Sequence, residues 1–120
     1  MYGVDYFETF VPVTRLASIR TILAITTRNN WEIDMFDFHS AYLNGVLDDN
    51  KDIYMEQPPY HEVKNCSQYV VKLKKSLYGL KQAGRKWYDS LCRSLAEIGF
   101  VRSMANPAVF YTQVGEMWLC

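Results

Sequence analysis

The sequence is short of cysteine and histidine and has no long hydrophobic run, and each shortage removes a class of protein. Its three cysteines lie too far apart for a thiolate metal site, and their odd number makes a poor disulfide framework, so we expect reduced thiols. The two histidines, His39 and His61, lack metal-ligand spacing to each other or to a cysteine.

The longest apolar stretch, residues 16–25, is interrupted by polar side chains and falls short of the roughly 18 residues of a membrane-spanning helix. Residues 1–8 are polar and acidic, unlike a secretory signal. We therefore expect an intracellular protein, in the cytoplasm or nucleus, that is neither secreted nor associated with a membrane.

Signatures of two common enzyme classes are also missing. The sequence has no Gly-x-Ser-x-Gly nucleophile turn, and neither Gly79 nor Gly84 belongs to a phosphate-binding glycine loop. What is present is the composition of a folded domain: 49% of the residues are hydrophobic and 15% are aromatic, which suffices for a modest core. A chain of 120 residues is one domain or a piece of one.

Charge is balanced overall but segregated along the chain. Thirteen basic residues match thirteen acidic ones. Residues 32–62 are rich in acid and contain a single basic residue, Lys51, whereas residues 64–88 are rich in lysine and arginine, contain no acid and are interleaved with aromatic residues. This second pattern suits a nucleic-acid backbone with bases stacked nearby. A solvated basic face is the simpler explanation of the same pattern.

Hydrophobic periodicity predicts an α+β domain, in which an antiparallel sheet packs on helices. Helices are predicted over residues 15–28, capped by Thr14, and over residues 83–98, ended by Gly99. A short helical turn is predicted over residues 40–43. Strands are predicted over residues 31–38, 52–57, 69–75 and 108–112, and a fifth begins at residue 117 after a turn at 114–116.

Each predicted helix has an apolar face that we expect to be buried. In the first helix this face comprises Leu16, Ile19, Ile22 or Leu23, and Thr26. In the second helix it comprises Ala83, Trp87, Leu91, Leu95 and Ile98.

The strand predicted over residues 31–38 ends on a carboxylate. Trp31, Ile33 and Met35 share one parity, and Asp37 falls on the same apolar parity. Because burial of a bare carboxylate is very costly, Asp37 must be paired, bound to a metal or placed at an edge that faces solvent.

Two blocks of the sequence resemble the copia-type retrotransposon reverse transcriptases. The first, Phe-Asp-Phe-His-Ser-Ala-Tyr-Leu-Asn-Gly, occupies residues 36–45, and the second, Ser-Leu-Tyr-Gly-Leu-Lys-Gln-Ala-Gly-Arg-Lys-Trp, occupies residues 76–87. The flanking segments 5–10, 53–58 and 73–75 agree as well. The resemblance covers essentially the whole chain in the expected order.

The resemblance implies that residues 1–120 are part of the palm and fingers of a right-hand RNA-directed DNA polymerase. Asp37 would then be a catalytic carboxylate that binds metal together with the backbone carbonyl of Phe38. In such enzymes three carboxylates hold two Mg²⁺ ions, which activate the primer 3′-hydroxyl and neutralise the triphosphate. The implied partners are an RNA or DNA template–primer, a deoxynucleoside triphosphate and the remainder of a Pol polyprotein.

The resemblance also assigns roles to the neighbours of Asp37. Backbone N–H groups of Phe38, His39, Ser40 and Ala41 would bind the triphosphate. Tyr42 would lie beneath the sugar and exclude a 2′-hydroxyl. The alternative interpretation of Tyr42 is an ordinary aromatic residue of the core. Residues expected to line the nucleotide pocket are Tyr78 and Gly79, and residues expected to contact nucleic acid are Lys72, Lys74, Lys81 and Arg85.

The chain departs from the family pattern in three residues and in its extent. His39 replaces a lysine, Ser40 replaces a threonine and Gly84 replaces a proline, a change that we expect to loosen the start of the second helix by about 0.5–1 kcal/mol. The sequence has no Tyr-Val-Asp-Asp turn, the motif that carries the other two carboxylates. We therefore expect a fragment that is truncated at both ends and inactive alone.

Two alternatives stay open at the level of sequence. A degenerate, non-catalytic remnant would bind nucleic acid through Lys72, Lys74 and Lys81, and its binding would weaken steeply with salt. A relic without a stable fold would leave apolar surface and an edge strand uncovered.

Overall fold

The computed structural model describes residues 9–47, 52–64, 66, 68–112 and 118–119. Two α-helices and short antiparallel strand pairs confirm the predicted α+β class. The elements in chain order are α1 (Leu16–Asn29), a 3₁₀ turn (Ala41–Asn44), β1 (Tyr54–Glu56), β2 (Val70–Lys72), α2 (Ala83–Glu97), β3 (Val101–Arg102), β4 (Phe110–Tyr111) and β5 (Trp118–Leu119).

Strands β1 and β2 form an antiparallel ribbon, in which Met55 is paired with Val71. The pairing extends beyond both strands, because the Leu73 N–H donates to the Ile53 carbonyl at 2.8 Å. Further along, an isolated antiparallel bridge joins Val46 to Lys75. The segment that follows β2 directly precedes the second motif block, and this bridge places it beside the end of the first motif block.

Strands β3, β4 and β5 form a second antiparallel sheet in that order. Val101 of β3 pairs with Tyr111 of β4, and Phe110 pairs with Leu119 of β5. The two residues of β3 are too few to show an alternating pattern, so sequence reasoning missed this strand. The hairpin turn predicted at residues 114–116 lies outside the described residues.

The strand predicted over residues 31–38 is wrong. A strand is defined by hydrogen bonds to a neighbouring strand, and in the described part of the chain no segment pairs with these residues. The side chains of Ile33 and Met35 are 59% and 98% exposed, so the apolar parity faces solvent.

Helix α1 begins and packs differently from the prediction. Its N-cap is Arg15, which makes no side-chain cap hydrogen bond, so Thr14 does not cap it. Asn30 ends the helix in the left-handed conformation, with φ of 53°, and its N–H donates to the carbonyls of Thr26 and Thr27. The predicted buried face is wrong in large part, because Leu16, Ile19 and Leu23 are exposed and Thr26 is the buried residue of the helix.

Helix α2 carries the core of the described structure. Tyr88, Leu95 and Phe110 form a buried cluster. Ala83 is also buried as predicted, whereas Ile98 is 70% exposed and its assignment to the buried face is wrong. The helix ends at Glu97 with Ile98 as its C-cap, and Gly99 follows with φ of 91°, in the position predicted for a residue just past the helix end. Around the cluster pack Val11, Leu91, Cys92 and Phe100.

The buried core is small. Among the described residues only six hydrophobic side chains are buried: Leu47, Ala83, Tyr88, Leu95, Val109 and Phe110. Neither α1 nor α2 combines the length and the apolar character that crossing a membrane requires.

Candidate functional site

Asp37 lies between α1 and the 3₁₀ turn, in a segment that forms neither helix nor strand, and its side chain is exposed. The ring of Phe38 packs edge-on against Trp87 of α2, with centroids 4.9 Å apart, and against Phe36 at 5.5 Å. In the described part of the chain the Asp37 carboxylate has no hydrogen bond or ion pair. The carboxylate is therefore accessible to solvent.

The turn after Asp37 offers backbone donors. Ser40 has φ of 51°, in the left-handed region, and no side-chain cap bond. The Leu43 N–H donates to the Ser40 carbonyl at 2.9 Å and closes the turn. The turn thus places the backbone N–H groups of residues 39–41 directly after an exposed carboxylate.

Tyr42 and Tyr78 come from different motif blocks and meet in space. Their ring centroids are 5.4 Å apart, and both rings are exposed, Tyr42 by 41% and Tyr78 by 62%. Gly79 follows in a turn with φ of 95°, and a Cβ there would meet no atom within 4 Å. The structure therefore brings Tyr42 of the first motif block next to Tyr78 of the second and leaves both rings open to solvent.

Two glycines allow close packing between the 3₁₀ turn and α2. A Cβ on buried Gly45 would lie 2.9 Å from the backbone nitrogen of Trp87 and 3.1 Å from the carbonyl carbon of Lys86. A Cβ on Gly84 would lie 2.9 Å from a methyl group of Val11, and 3.8 Å from the Tyr42 ring and hydroxyl. Sequence reasoning missed the packing role of Gly45.

Two of the four basic residues expected to contact nucleic acid pair with carboxylates. Lys72 is paired with Asp52 at 2.5 Å, and Arg85 with Asp89 at 2.9 Å. The hydrogen bond from Lys72, with a second from Tyr54, holds the pKa of the Asp52 carboxyl below its usual value. The other two, Lys74 and Lys81, are exposed.

Comparison with known proteins accounts for this arrangement. The profile of the family described as reverse transcriptase (RNA-dependent DNA polymerase) matches residues 1–120. The chain belongs to the reverse transcriptase family. It is 46% and 42% identical to the retrovirus-related Pol polyproteins from transposons RE1 and RE2 of Arabidopsis thaliana, and 39% identical to that from transposon TNT 1-94 of Nicotiana tabacum. Each match covers 95% of this chain and 8% of the relative, so the chain spans less than a tenth of their length. No solved structure matches it.

These relatives confirm the resemblance to copia-type reverse transcriptases, a family that uses divalent metal ions. The donors at Asp37 fit Mg²⁺ in kind, since a carboxylate and a backbone carbonyl are hard oxygen ligands. They do not fit in number: among the described residues no group of three or more Asp, Glu, His or Cys side chains is placed to hold a metal ion. Among the described residues the oxygen donors at Asp37 are therefore too few for a metal site.

Proposed function

We propose that residues 1–120 form part of the palm and fingers of a copia-type RNA-directed DNA polymerase, and that Asp37 is one of its catalytic carboxylates. One observation carries this proposal. The exposed Asp37 carboxylate directly precedes a turn at residues 39–44, and that turn packs Tyr42 against Tyr78 of the second motif block. The remainder of a Pol polyprotein would supply the rest of the enzyme.

Mg²⁺ is the cation that this donor set favours. Asp37 and the Phe38 carbonyl would supply two of its oxygen ligands, and further carboxylates from the longer protein would supply the others. When bound, the ions would activate the primer hydroxyl and offset the charge of the triphosphate.

The nucleotide would be bound mainly by the turn. The N–H groups of His39, Ser40 and Ala41, with that of Phe38, would donate to phosphate oxygens, which are strong acceptors. Tyr42 would lie beside the sugar, where its ring leaves no room for a 2′-hydroxyl. Tyr78 would support that ring from the other side, as their 5.4 Å separation allows, and Gly79 would line the same pocket.

This polypeptide alone would not polymerise, because one carboxylate cannot organise two metal ions. We expect no extension of a labelled DNA primer on an RNA template with Mg²⁺ or Mn²⁺. Extension above background that disappears in Asp37→Ala would contradict this expectation.

Metal-dependent nucleotide binding tests the site itself. Amide NMR spectra would be recorded as dTTP is added with and without Mg²⁺. We expect Mg²⁺-dependent shifts at residues 38–41 that are lost in Asp37→Asn. Asp34→Asn is the matched control, because Asp34 is an exposed carboxylate on the same segment. Shifts elsewhere, or equal effects of both substitutions, would overturn the assignment.

A second candidate is a non-catalytic remnant that binds nucleic acid. Lys74 favours it, because this exposed cation has no ion pair among the described residues. The pairing of Lys72 and Arg85 with carboxylates weighs against it, since each pair reduces the net charge of the surface. Template–primer binding that is lost in Lys74→Gln but is indifferent to Asp37→Asn and to dTTP would favour the remnant.

A reducing compartment inside the cell is the proposed location. The two described cysteines, Cys66 and Cys92, are free thiols, which suits the cytoplasm or nucleus.

A further inference from the structure

Helix α1 carries an unusual charge for an exposed helix. Residues 9–31 contain Arg15, Arg20 and Arg28 and no acidic residue. All three arginines are exposed, and within the described part of the chain none forms an ion pair. Their positive charge is therefore uncompensated, unlike that of Lys72 and Arg85.

Two of these arginines flank a depression. An open cavity of about 410 Å³ is lined, among the described residues, by Arg20, Thr21, Ala24, Ile25 and Arg28. Arg20, Ala24 and Arg28 follow one another at intervals of four, so they form one ridge of the helix. The small side chain of Ala24 leaves space between the two guanidinium groups.

The opposite side of α1 is attached to the rest of the protein. The Asn106 side chain, which is buried, donates from Nδ2 to the Ser18 hydroxyl at 2.8 Å. Thr26 is buried on the same side. This attachment fixes which face of the helix points outward, and it is the face with Arg20 and Arg28.

We propose that the Arg20–Arg28 face of α1 is a binding surface for the phosphate backbone of a nucleic acid, separate from the basic residues of the 64–88 region. The two arginines are eight residues apart, about 12 Å along the helix axis, and phosphates on one strand recur every ~3.4 Å along a duplex. Each guanidinium therefore reaches a different phosphate, and guanidinium groups bind phosphate in a bidentate manner. This inference rests on the proposed function in one respect, namely that the ligand is a nucleic acid.

The test is the salt dependence of binding. A fluorescent RNA–DNA hybrid of 20 base pairs would be titrated with the 120-residue chain at salt concentrations between 50 and 200 mM. The same titration would be repeated with the double variant Arg20→Gln/Arg28→Gln. Loss of two phosphate contacts lowers the slope of log K against log salt by about 2. The wild type should therefore lose about tenfold more affinity over this range than the double variant.

Two comparisons separate charge from folding. The single variants Arg20→Gln and Arg28→Gln would be compared with Arg93→Gln, which removes one exposed arginine from α2, and Arg20→Lys/Arg28→Lys should restore most of the slope. Circular dichroism should be unchanged in all of them. The inference would be overturned by an unaltered slope in the double variant, by the same change of slope in Arg93→Gln, or by no binding of the wild type to the hybrid. It would also be overturned if the double variant lost binding to anionic vesicles but kept its binding to the hybrid. The dTTP experiment on Asp37 does not involve α1, so a failure of this inference can be distinguished from a failure of the proposed function.

Discussion

Gly45 and Gly84 both approach another part of the protein closely, but what they approach differs. An added Cβ would come within 2.9 Å of a neighbouring atom at either position. At Gly45 that atom belongs to the backbone of α2, which is held by helix hydrogen bonds. At Gly84 it is the end of the Val11 side chain, which can rotate. The same chemical change should therefore cost different amounts.

We expect Gly45→Ala to lower the free energy of unfolding by about 1–3 kcal/mol, the usual cost of overpacking. Gly84→Ala should change it by less than about 1 kcal/mol, because the gain in helix propensity offsets the shift of Val11. Urea denaturation followed by circular dichroism would measure both. Equal losses in the two variants would show that the backbone of α2 yields as easily as a side chain.

Tyr88 anchors the sheet of β3 and β4 to α2. Its hydroxyl donates to the Pro107 carbonyl at 2.8 Å and lies 3.5 Å from the Arg102 guanidinium. Burial raises the pKa of Tyr88 above its ordinary value of 10.0, an effect that the guanidinium partly opposes. The folded state therefore holds the phenol proton more tightly than the unfolded state does.

This difference in pKa predicts a loss of stability in base. The contribution is complete below about pH 10, where the unfolded phenol keeps its proton, and it is lost as the pH rises through the higher pKa of the folded state. Tyr88→Phe should be less stable at pH 7 by about 1 kcal/mol, the value of one hydrogen bond, and should show a shallower decline above pH 10. Parallel decline of the two proteins in urea denaturation at pH 9–11 would refute the assignment.

At the scale of elements, one side chain organises the loop between β1 and β2. Gln57 donates from Nε2 to the carbonyls of Cys66 and Tyr69, at 2.8 and 2.9 Å, and its Oε1 accepts from the Val63 N–H at 2.8 Å. These bonds link three points of the loop to the end of β1. Tyr60, 97% exposed and with φ of 69°, is held within that loop.

We expect Gln57→Ala to release this loop while leaving α2 intact. Hydrogen exchange at the Val63 amide should become faster by at least tenfold, because its acceptor is removed. Gln68→Ala is the control, since Gln68 is an exposed residue of the same loop. Unchanged exchange at Val63 would mean that the loop keeps its shape through other contacts.

At the scale of the molecule, apolar surface exceeds what the small core covers. Phe10, Val13, Ile33 and Met35 are each more than half exposed. Ile33 and Met35 remain uncovered because the segment 31–38 has no strand beside it among the described residues. In a longer Pol polyprotein this face is available for packing.

We therefore expect the isolated chain to be marginally stable, below the roughly 5 kcal/mol at the lower end for native domains, and to bind a hydrophobic dye in its folded state. Leu95→Ala, which removes a buried side chain at a cost of about 2–5 kcal/mol, should abolish the cooperative thermal transition. Met35→Gln should reduce dye binding without changing the transition. A sharp transition with no dye binding would show that the chain covers its apolar surface by itself.

The sequence by itself determined the class, the family and the two helices. Periodicity located α1 and α2 to within one or two residues, because a helix depends on contacts that are local in the chain. Motif order identified the reverse transcriptase family and singled out Asp37, Tyr42 and Tyr78.

The tertiary structure alone decided which surfaces meet. Within the described part of the chain it left residues 31–38 without a strand partner, exposed most of the predicted apolar face of α1, paired Lys72 with Asp52, and set Gly45 against α2. Each of these outcomes depends on groups that are far apart in sequence, so no local pattern encodes them. The fold also decided that Arg20 and Arg28 face outward, because the direction of a helix face is set by what packs behind it.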